Sequence, residues 1–304
     1  MEQALLDKRA RAPLLPTLVG AGVPSLTGWG EVVSAFSSAV NIRHSGGLLV
    51  SLVGDPRAMT YLSVCVPALF RNPKKRLVPG DRIRFDGHRM VTEDFVLDFP
   101  GRPTWQGTLS LKDVRGLEVS KVSLLKEALL LKGRAGGFLG LLRGNGTNNP
   151  FVDKAIQVLR GVQKAPSQAA RLEALSGLVG LGPGSTPSGD DFITGVLLGE
   201  EALKLLLTTE AKAVADSREP MIPWSMEKEG LQVAMDRTND SGKTLLWQAL
   251  QGHFPQYLIE TVRSISDAEG KQEITEAVER AVSRGATSGT DALTGFLFSM
   301  EGGL

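Results

Sequence analysis

The hydrophobic period of this chain changes once, at about residue 117, and that change limits the fold more than any other feature. Before it, apolar residues alternate or form short runs bounded by Gly, Pro and Asp, the pattern of strands. Such runs cover 48–53, after Gly46-Gly47, and 60–66, which is rich in β-branched and aromatic residues. Two more, 82–85 and 88–91, flank Asp86-Gly87, a dipeptide suited to a tight type I′ hairpin turn because both central residues need positive φ. Phe95, Leu97 and Phe99 then alternate with Val96 and Asp98. A short helix is read around Gly30 to Phe36. After the change, Val119, Val122, Leu125 and Leu129 share one helical face, and so do Val152, Ile156, Leu159 and Val162 behind the start signal Asn148-Asn149-Pro150. Further helices are predicted at 167–179, 190–208, 226–236, 242–251, 255–265, 271–283 and 289–300. The expected fold class is α+β. A small antiparallel β barrel or sandwich of about five to seven strands spans 1–116, and an all-α domain of about eight or nine helices spans 117–304.

A length of 304 residues suits two such domains. With 34 basic against 33 acidic residues, the composition excludes a disordered tail, a collagen-like chain and a supercharged nucleic-acid binder. The β-rich part carries a net charge of +5 and the helical part −4. Part of the basic excess is Arg71-Asn72-Pro73-Lys74-Lys75-Arg76, either a solvated turn or a dock for an acidic partner or anionic substrate. Cys65 stands alone, so neither an intrachain disulfide nor a thiolate zinc cage can form, and a reducing cytoplasm fits best. His44, His88 and His253 are too far apart in sequence for a local metal pair and read as surface or hairpin residues. The basic start is followed by Pro13-Leu14-Leu15-Pro16, too short and proline-broken for a signal core. The longest apolar candidate, 192–207, is interrupted by Glu200, Glu201 and Lys204, well short of the roughly 18 clean residues of a membrane span. A soluble cytoplasmic protein that binds neither membrane nor nucleic acid is expected.

Glycine is the unusual count: 35 residues, where an average of about 7% predicts roughly 21. The densest stretch is Gly180-Leu181-Gly182-Pro183-Gly184-Ser185-Thr186-Pro187-Ser188-Gly189-Asp190-Asp191, which opens an apolar helix. One hundred residues on stands Ser288-Gly289-Thr290-Asp291-Ala292-Leu293-Thr294-Gly295. Both stretches fit S-G-x-D-x-x-T-G at the start of a helix, which suggests a duplicated substructure. A weaker relative runs from Thr238 through Ser241, Gly242 and Lys243 to Thr244. A Ser-Gly step at a helix start exposes unpaired N–H groups at the positive end of the helix dipole, so convergent starts could hold an anion. The simpler use is an N-cap followed by a first-turn carboxylate.

The candidate anion-binding set is Gly182, Gly184, Thr186, Ser188 and Gly189, joined by Ser241, Gly242, Lys243, Ser288, Gly289 and Asp291. Asp190 and Asp191 are the candidate catalytic pair. Paired carboxylates repel an incoming anion by about 1 kcal/mol or more near the surface. One of them is therefore a structural cap, a general acid/base, or a ligand for a divalent cation such as Mg. Two nucleotide motifs fail. Gly242-Lys243-Thr244 resembles the end of a P-loop, but the first glycine would fall on Arg237, and no strand precedes either this stretch or the 180–184 glycines. The glycines between Gly133 and Gly146 fit either close helix packing with an ordinary loop or an anion-contacting loop that presents Arg143.

At Gly182-Pro183-Gly184-Ser185-Thr186-Pro187-Ser188-Gly189-Asp190-Asp191 the chain resembles the oxamate carbamoyltransferase subunit family of anaerobic allantoin catabolism, once known only as a domain of unknown function. The resemblance extends to Asn41-Ile42-Arg43 with 49–53 and to 238–252, and Ser185 departs from it where a larger apolar residue is expected. It implies transfer of the carbamoyl group of oxalurate to phosphate, giving oxamate and carbamoyl phosphate, within a complex of three subunit types. It carries over no catalytic residue. On the residues alone, Asp190 or Asp191 would move a proton to the departing amide nitrogen, with Lys243 or Arg143 balancing charge. Two rival readings are a non-catalytic scaffold or metabolite-sensing subunit, and a related carbamoyl or acyl transferase with another substrate.

Overall fold

The computed structural model describes residues 12–71, 77–143, 149–213 and 229–302. Most of the basic loop at 71–76, the turn from Gly144 to Asn148 and the start of the helix predicted at 226–236 lie outside them. The chain forms two compact units, Met1–Gly107 with Pro255–Tyr257, and Thr108–Phe254 with Leu258–Leu304.

The first unit is one curled, mixed sheet of ten strands. In chain order they are β1 (Ala12–Leu14), β2 (Leu18–Gly20), β3 (Thr27–Ala35), β4 (Ala39–His44), β5 (Leu49–Val53), β6 (Ser63–Cys65), β7 (Arg82–Asp86), β8 (Arg89–Val91), β9 (Phe95–Asp98) and β10 (Thr104–Trp105), with helix α1 (Pro67–Arg71) after β6. Across the sheet the order is β1-β9-β8-β7-β3-β4-β5-β6-β2-β10, an open half-barrel. Alternation builds its core. Val32, Val40, Ile42, Val50, Leu52, Ile83 and Phe85 point inward and are buried together, while Asn41 and Arg43 face the other side, as period-two side chains must. A hairpin joins β7 to β8 as expected, but Phe85 pairs with Met90 and Asp86 still belongs to β7, so the turn centres on Gly87-His88 and not on Asp86-Gly87. Gly87 has φ +83°, and the Asp86 carboxylate accepts the His88 and Arg89 N–H groups at 3.2 and 3.1 Å.

Three further sequence expectations need correction here. The short helix at Gly30 to Phe36 is strand β3, paired on both sides by β4 and β7. Gly30 lets those neighbours close, since a Cβ there would lie 2.7 Å from Ile42 and 2.9 Å from Phe85. The strand count exceeds five to seven because β1, β2 and β10 are only two or three residues long. Three of the sheet's pairings, β1 with β9, β2 with β10 and β5 with β6, are parallel, and the first two join segments no local pattern links. His44 is buried. Its ring packs edge-on against Phe85 at 5.1 Å, its Nδ1 accepts the Gly46 N–H, and its Nε2 lies 2.9 Å from the Thr27 carbonyl.

The second unit is helical, with no strand among its described residues. Its helices are α2 (Leu111–Val114), α3 (Val119–Lys132), α4 (Gly140–Arg143), α5 (Pro150–Lys164), α6 (Gln168–Leu175), α7 (Ser188–Ala213), α8 (Glu229–Ala234), α9 (Asp240–Leu250), α10 (Gln256–Asp267), α11 (Lys271–Val282) and α12 (Ser288–Met300), the first residues of α10 counting with the sheet unit. Short α2 and α4 escape a 3.6-residue period because four residues barely complete one turn. Asn149 caps α5 through Phe151 N–H, as the Asn-Pro signal suggests.

The helices α7 and α12 form the centre of this unit. Both are buried on nearly every face over their first three turns, their polar first-turn residues Ser188, Asp190, Asp191, Thr290 and Asp291 included. They touch backbone to backbone: a Cβ on Gly195 would stand 1.8 Å from the Ala292 carbonyl oxygen, and one on Gly295 would stand 2.0 Å from that of Phe192. Gly199 meets Ser299 in turn, so the helices run in the same direction with their N-termini at one end. Each start is pressed down by a further glycine, Gly189 against the Leu178 carbonyl and Gly289 against that of Ala281. The two S-G-x-D-x-x-T-G stretches thus occupy equivalent places about a local twofold relation. No side chain fits these contacts without parting the helices. Gly195→Ala or Gly295→Ala is expected to cost about 3 kcal/mol or more in urea unfolding. Gly161→Ala on α5, where nothing lies within 4 Å of the added carbon, should instead be neutral or stabilising by up to about 1 kcal/mol.

Candidate functional site

The glycine loop ahead of α7 is shaped by backbone conformations that need glycine. Gly182 and Gly184 have φ of +101° and +118°, and a Cβ on Gly182 would press on Ser188 at 2.9 Å. The turn they make returns Thr186 over the helix start. There the Pro187 carbonyl accepts the Asp190 and Asp191 N–H groups at 2.9 and 3.2 Å, and the Gly189 N–H reaches the Leu181 carbonyl at 2.8 Å. These first-turn amides are therefore already satisfied within the protein.

The two adjacent carboxylates take different directions. Asp190, fully buried, accepts the Gly180 N–H at 2.9 Å through Oδ1 and the Thr238 hydroxyl through Oδ2. Gly242 lies so close that a Cβ there would stand 2.0 Å from Asp190 Oδ2. Asp190 is thus a tether, holding the start of α7 to the glycine loop and to the approach of α9. Burial raises its pKa, and the bonds from Thr238 and Gly180 oppose the rise. Asp191 turns toward α12. Its Oδ2 accepts the Thr186 hydroxyl at 2.9 Å, and Thr186 Oγ1 lies 3.1 Å from Ser288 Oγ.

The second repeat supplies a matching carboxylate. Asp291, fully buried, accepts the Phe138 N–H at 2.6 Å, and a Cβ on Gly137 would stand 2.2 Å from its Oδ1. Arg134 adds its N–H to Thr290 Oγ1 at 3.0 Å and its guanidinium to the Gly285 carbonyl at 2.8 Å. Thr290 occupies the place of Asp190, so the repeats share one carboxylate and differ in the other. Ser188 and Thr287 lie near enough to Asp291 to favour its charge, but neither meets hydrogen-bond geometry. Ser188 Oγ and Asp291 Oδ2 are left buried without a hydrogen-bond partner.

Of the residues expected to form a site, the structure brings Gly182, Thr186, Ser188, Gly189, Asp191, Ser288, Gly289 and Asp291 together where α7 and α12 begin. Gly184 is exposed on the loop above them. Asp190 and Gly242 form the adjoining tether. The Gly242 N–H is used by Asn239 Oδ1, the side-chain cap of α9, and Lys243 is held by Asp236 at 2.7 Å. Ser241 is half-buried in the first turn of α9. Among the described residues no three His, Cys, Asp or Glu side chains gather as metal ligands, and both oxygens of Asp190 are engaged, so these residues do not fit a Mg site. Sequence reasoning singled out the stretches that hold Thr238 and Gly137-Phe138 but gave none of these three residues a role at this centre.

Burial sets the charge of this centre. Asp191, only 3% exposed, is pushed up to about 8, mainly by loss of water; the Ser288 and Thr186 hydroxyls pull it back, and the nearby Asp291 and Asp190 charges raise it again. Asp291 is pushed up to about 6 by burial, against the pull of the Phe138 N–H. The pair titrates as a coupled unit with its two values apart, the arrangement that lets one carboxyl serve as acid while the other serves as base. A carboxyl whose pKa rises on folding holds its proton more tightly in the folded chain. Its contribution to stability is full below the unfolded value of about 3.9 and is lost as pH rises through the folded value. The melting temperature is therefore expected to fall between about pH 5 and pH 8.5. Asp191→Asn should remove most of that fall and be the more stable protein at the alkaline end, as read by circular dichroism. A flat wild-type profile would contradict the assignment.

No helix of the described residues is long and apolar enough to cross a membrane. No curated protein and no solved structure matches the chain. Residues 178–300, which run from the turn before the glycine loop through the last turn of α12 and so hold both Ser-Gly-x-Asp starts, match the family of the oxamate carbamoyltransferase subunit AllH.

Proposed function

We propose that this chain is a subunit of a carbamoyltransferase complex that converts oxalurate and phosphate into oxamate and carbamoyl phosphate, and that the reaction draws on the centre between the starts of α7 and α12. The observation that carries this reading is the buried Asp191 and Asp291 pair, lying inside the matched family segment with both pKa values raised and set apart. The chemistry asks for such a pair. A phosphate oxygen joins the carbamoyl carbon, the carbon–nitrogen bond breaks, and the departing oxamate nitrogen takes a proton. Asp191, protonated at neutral pH, stores that proton. Asp291, ionised above about 6, keeps a negative charge beside Asp191 that holds this proton in place, and the proton that hydrogenphosphate gives up replaces it after transfer.

Anionic substrates are compatible with this centre because the pair carries roughly one negative charge at neutral pH instead of two. The positive ends of the two helix dipoles also converge there and favour anions. Around the pair the residues that reach solvent are exposed Gly184, Ser185 and Gly136 and half-buried Thr186, Thr287 and Ser288. The partners of the reading are the other subunits and the anions oxalurate, phosphate and carbamoyl phosphate.

A second reading, a scaffold or metabolite-sensing subunit without chemistry of its own, is favoured by one observation. The Gly189 and Gly242 amides are already paired within the chain, as in a clasp that only holds helices together. The two readings separate in the assembled complex. Asp191→Asn is expected to lower carbamoyl phosphate formation by about 100-fold, the usual worth of a proton-transferring group, with the complex intact by size-exclusion chromatography. Unchanged turnover would favour the scaffold, as would calorimetry in which neither phosphate nor oxalurate binds the full chain.

A further inference from the structure

We propose that the proton held by Asp191 reaches the substrate through two hydroxyls, Thr186 and then Ser288, and that Ser288 is the catalytic residue that touches the departing nitrogen. The inference rests on the proposed carbamoyl transfer and deepens it by naming the group at the reacting atom. Asp191 is too deeply enclosed to meet a substrate, being 3% exposed, whereas Thr186 and Ser288 are half-buried and reach solvent. The distances form an unbroken chain, 2.9 Å from Asp191 Oδ2 to Thr186 Oγ1 and 3.1 Å from Thr186 Oγ1 to Ser288 Oγ, within hydrogen-bond reach at each step.

Each hydroxyl carries one proton and can accept another, so the transfer balances without leaving charge on either. As the carbon–nitrogen bond breaks, the electron pair goes to nitrogen and the Ser288 proton follows it. With its proton on Oδ2, Asp191 donates to Thr186 Oγ1, the reverse of the bond its carboxylate accepts. Ser288 takes the proton of Thr186, Thr186 takes that of Asp191, and Asp191 is left as the carboxylate that accepts the Thr186 hydroxyl. The proton released by hydrogenphosphate, as its oxygen joins the carbamoyl carbon, restores the starting state.

The twofold relation sharpens the assignment, because the other half lacks this chain. Asp291 Oδ1 is taken by the Phe138 amide, which cannot pass a proton onward. Ser188, the counterpart of Ser288, is sealed from solvent, and its hydroxyl has no hydrogen-bond partner. Only the hydroxyl of the second repeat opens a path from a carboxyl of the first. Asp190 on α7 and Asp291 on α12 are the charged groups acting on Asp191.

In the assembled complex, Thr186→Val and Ser288→Ala are each expected to lower kcat by about 100-fold while the KM for oxalurate moves less than about threefold. Because the two act as one unit, the double variant should be little worse than either alone. Thr186→Ser, which keeps the hydroxyl, should restore most of the rate. Wild-type turnover in Ser288→Ala, or losses that multiply in the double variant, overturns the relay while leaving the carbamoyl-transfer reading in place. A wild-type complex that makes no carbamoyl phosphate overturns that reading. The relay is then judged on the full chain by carboxyl carbon NMR, where Thr186→Val and Ser288→Ala should each shift the Asp191 titration to higher pH. An unmoved titration in both variants overturns it.

Discussion

The contact of α7 with α12, made by peptide backbone at Gly195 and Gly295, is the constraint on which the rest of the helical unit depends. Two helices with ordinary side chains at their crossing stand 8–10 Å apart; glycine removes the spacer and brings the axes closer. At that approach the carboxylates of the first turns lie inside the protein, and water is excluded from them. Their high pKa values follow from this exclusion, so the packing contact and the acid–base character of the centre have one physical origin.

The local twofold relation gives the same scaffold two different fillings. Position for position, Ser188 and Ser288, Gly189 and Gly289, and Asp191 and Asp291 coincide in role, while Asp190 is answered by Thr290. The extra carboxylate in the first repeat is bound by the Gly180 amide and the Thr238 hydroxyl and fixes a loop. Its neutral counterpart accepts the Arg134 amide and fixes another. The symmetric part of the motif builds the helix pair; the departures from symmetry decide which loops cover it. A buried carboxylate is tolerated only with bonds to its charged form or with a proton. Asp190 is met by the Gly180 amide and the Thr238 hydroxyl, and Asp191 is pushed by burial to hold its proton.

Much of the fold was legible because its signals are local. The break in period near residue 117, the hairpin of β7 and β8 and the long helices each rest on contacts within a few residues. Strand β3 and the short strands β1, β2 and β10 were not legible, since Gly30 is explained by Ile42 and Phe85 across the sheet, and the parallel partners of β1 and β2 are remote in sequence. Within the site, the S-G-x-D-x-x-T-G repeat was legible as a pair of helix starts. Its chemistry was misjudged in one respect: the first-turn amides of α7 that seemed free for an anion are taken up by the Pro187 and Leu181 carbonyls.

The sequence by itself determined that two unlike units follow one another, that two helices begin with the same eight-residue pattern, and that glycine is concentrated at those starts. Periodicity and local turn chemistry are sufficient for all three. Only the tertiary structure decided which of two adjacent aspartates is a tether and which faces the shared centre. Successive residues of a helix point about 100° apart, so Asp190 looks toward Thr238 and Gly242 while Asp191 looks toward Thr186 and Ser288. What stands on each side is supplied by segments some fifty and one hundred residues away, and no spacing along the chain contains that information.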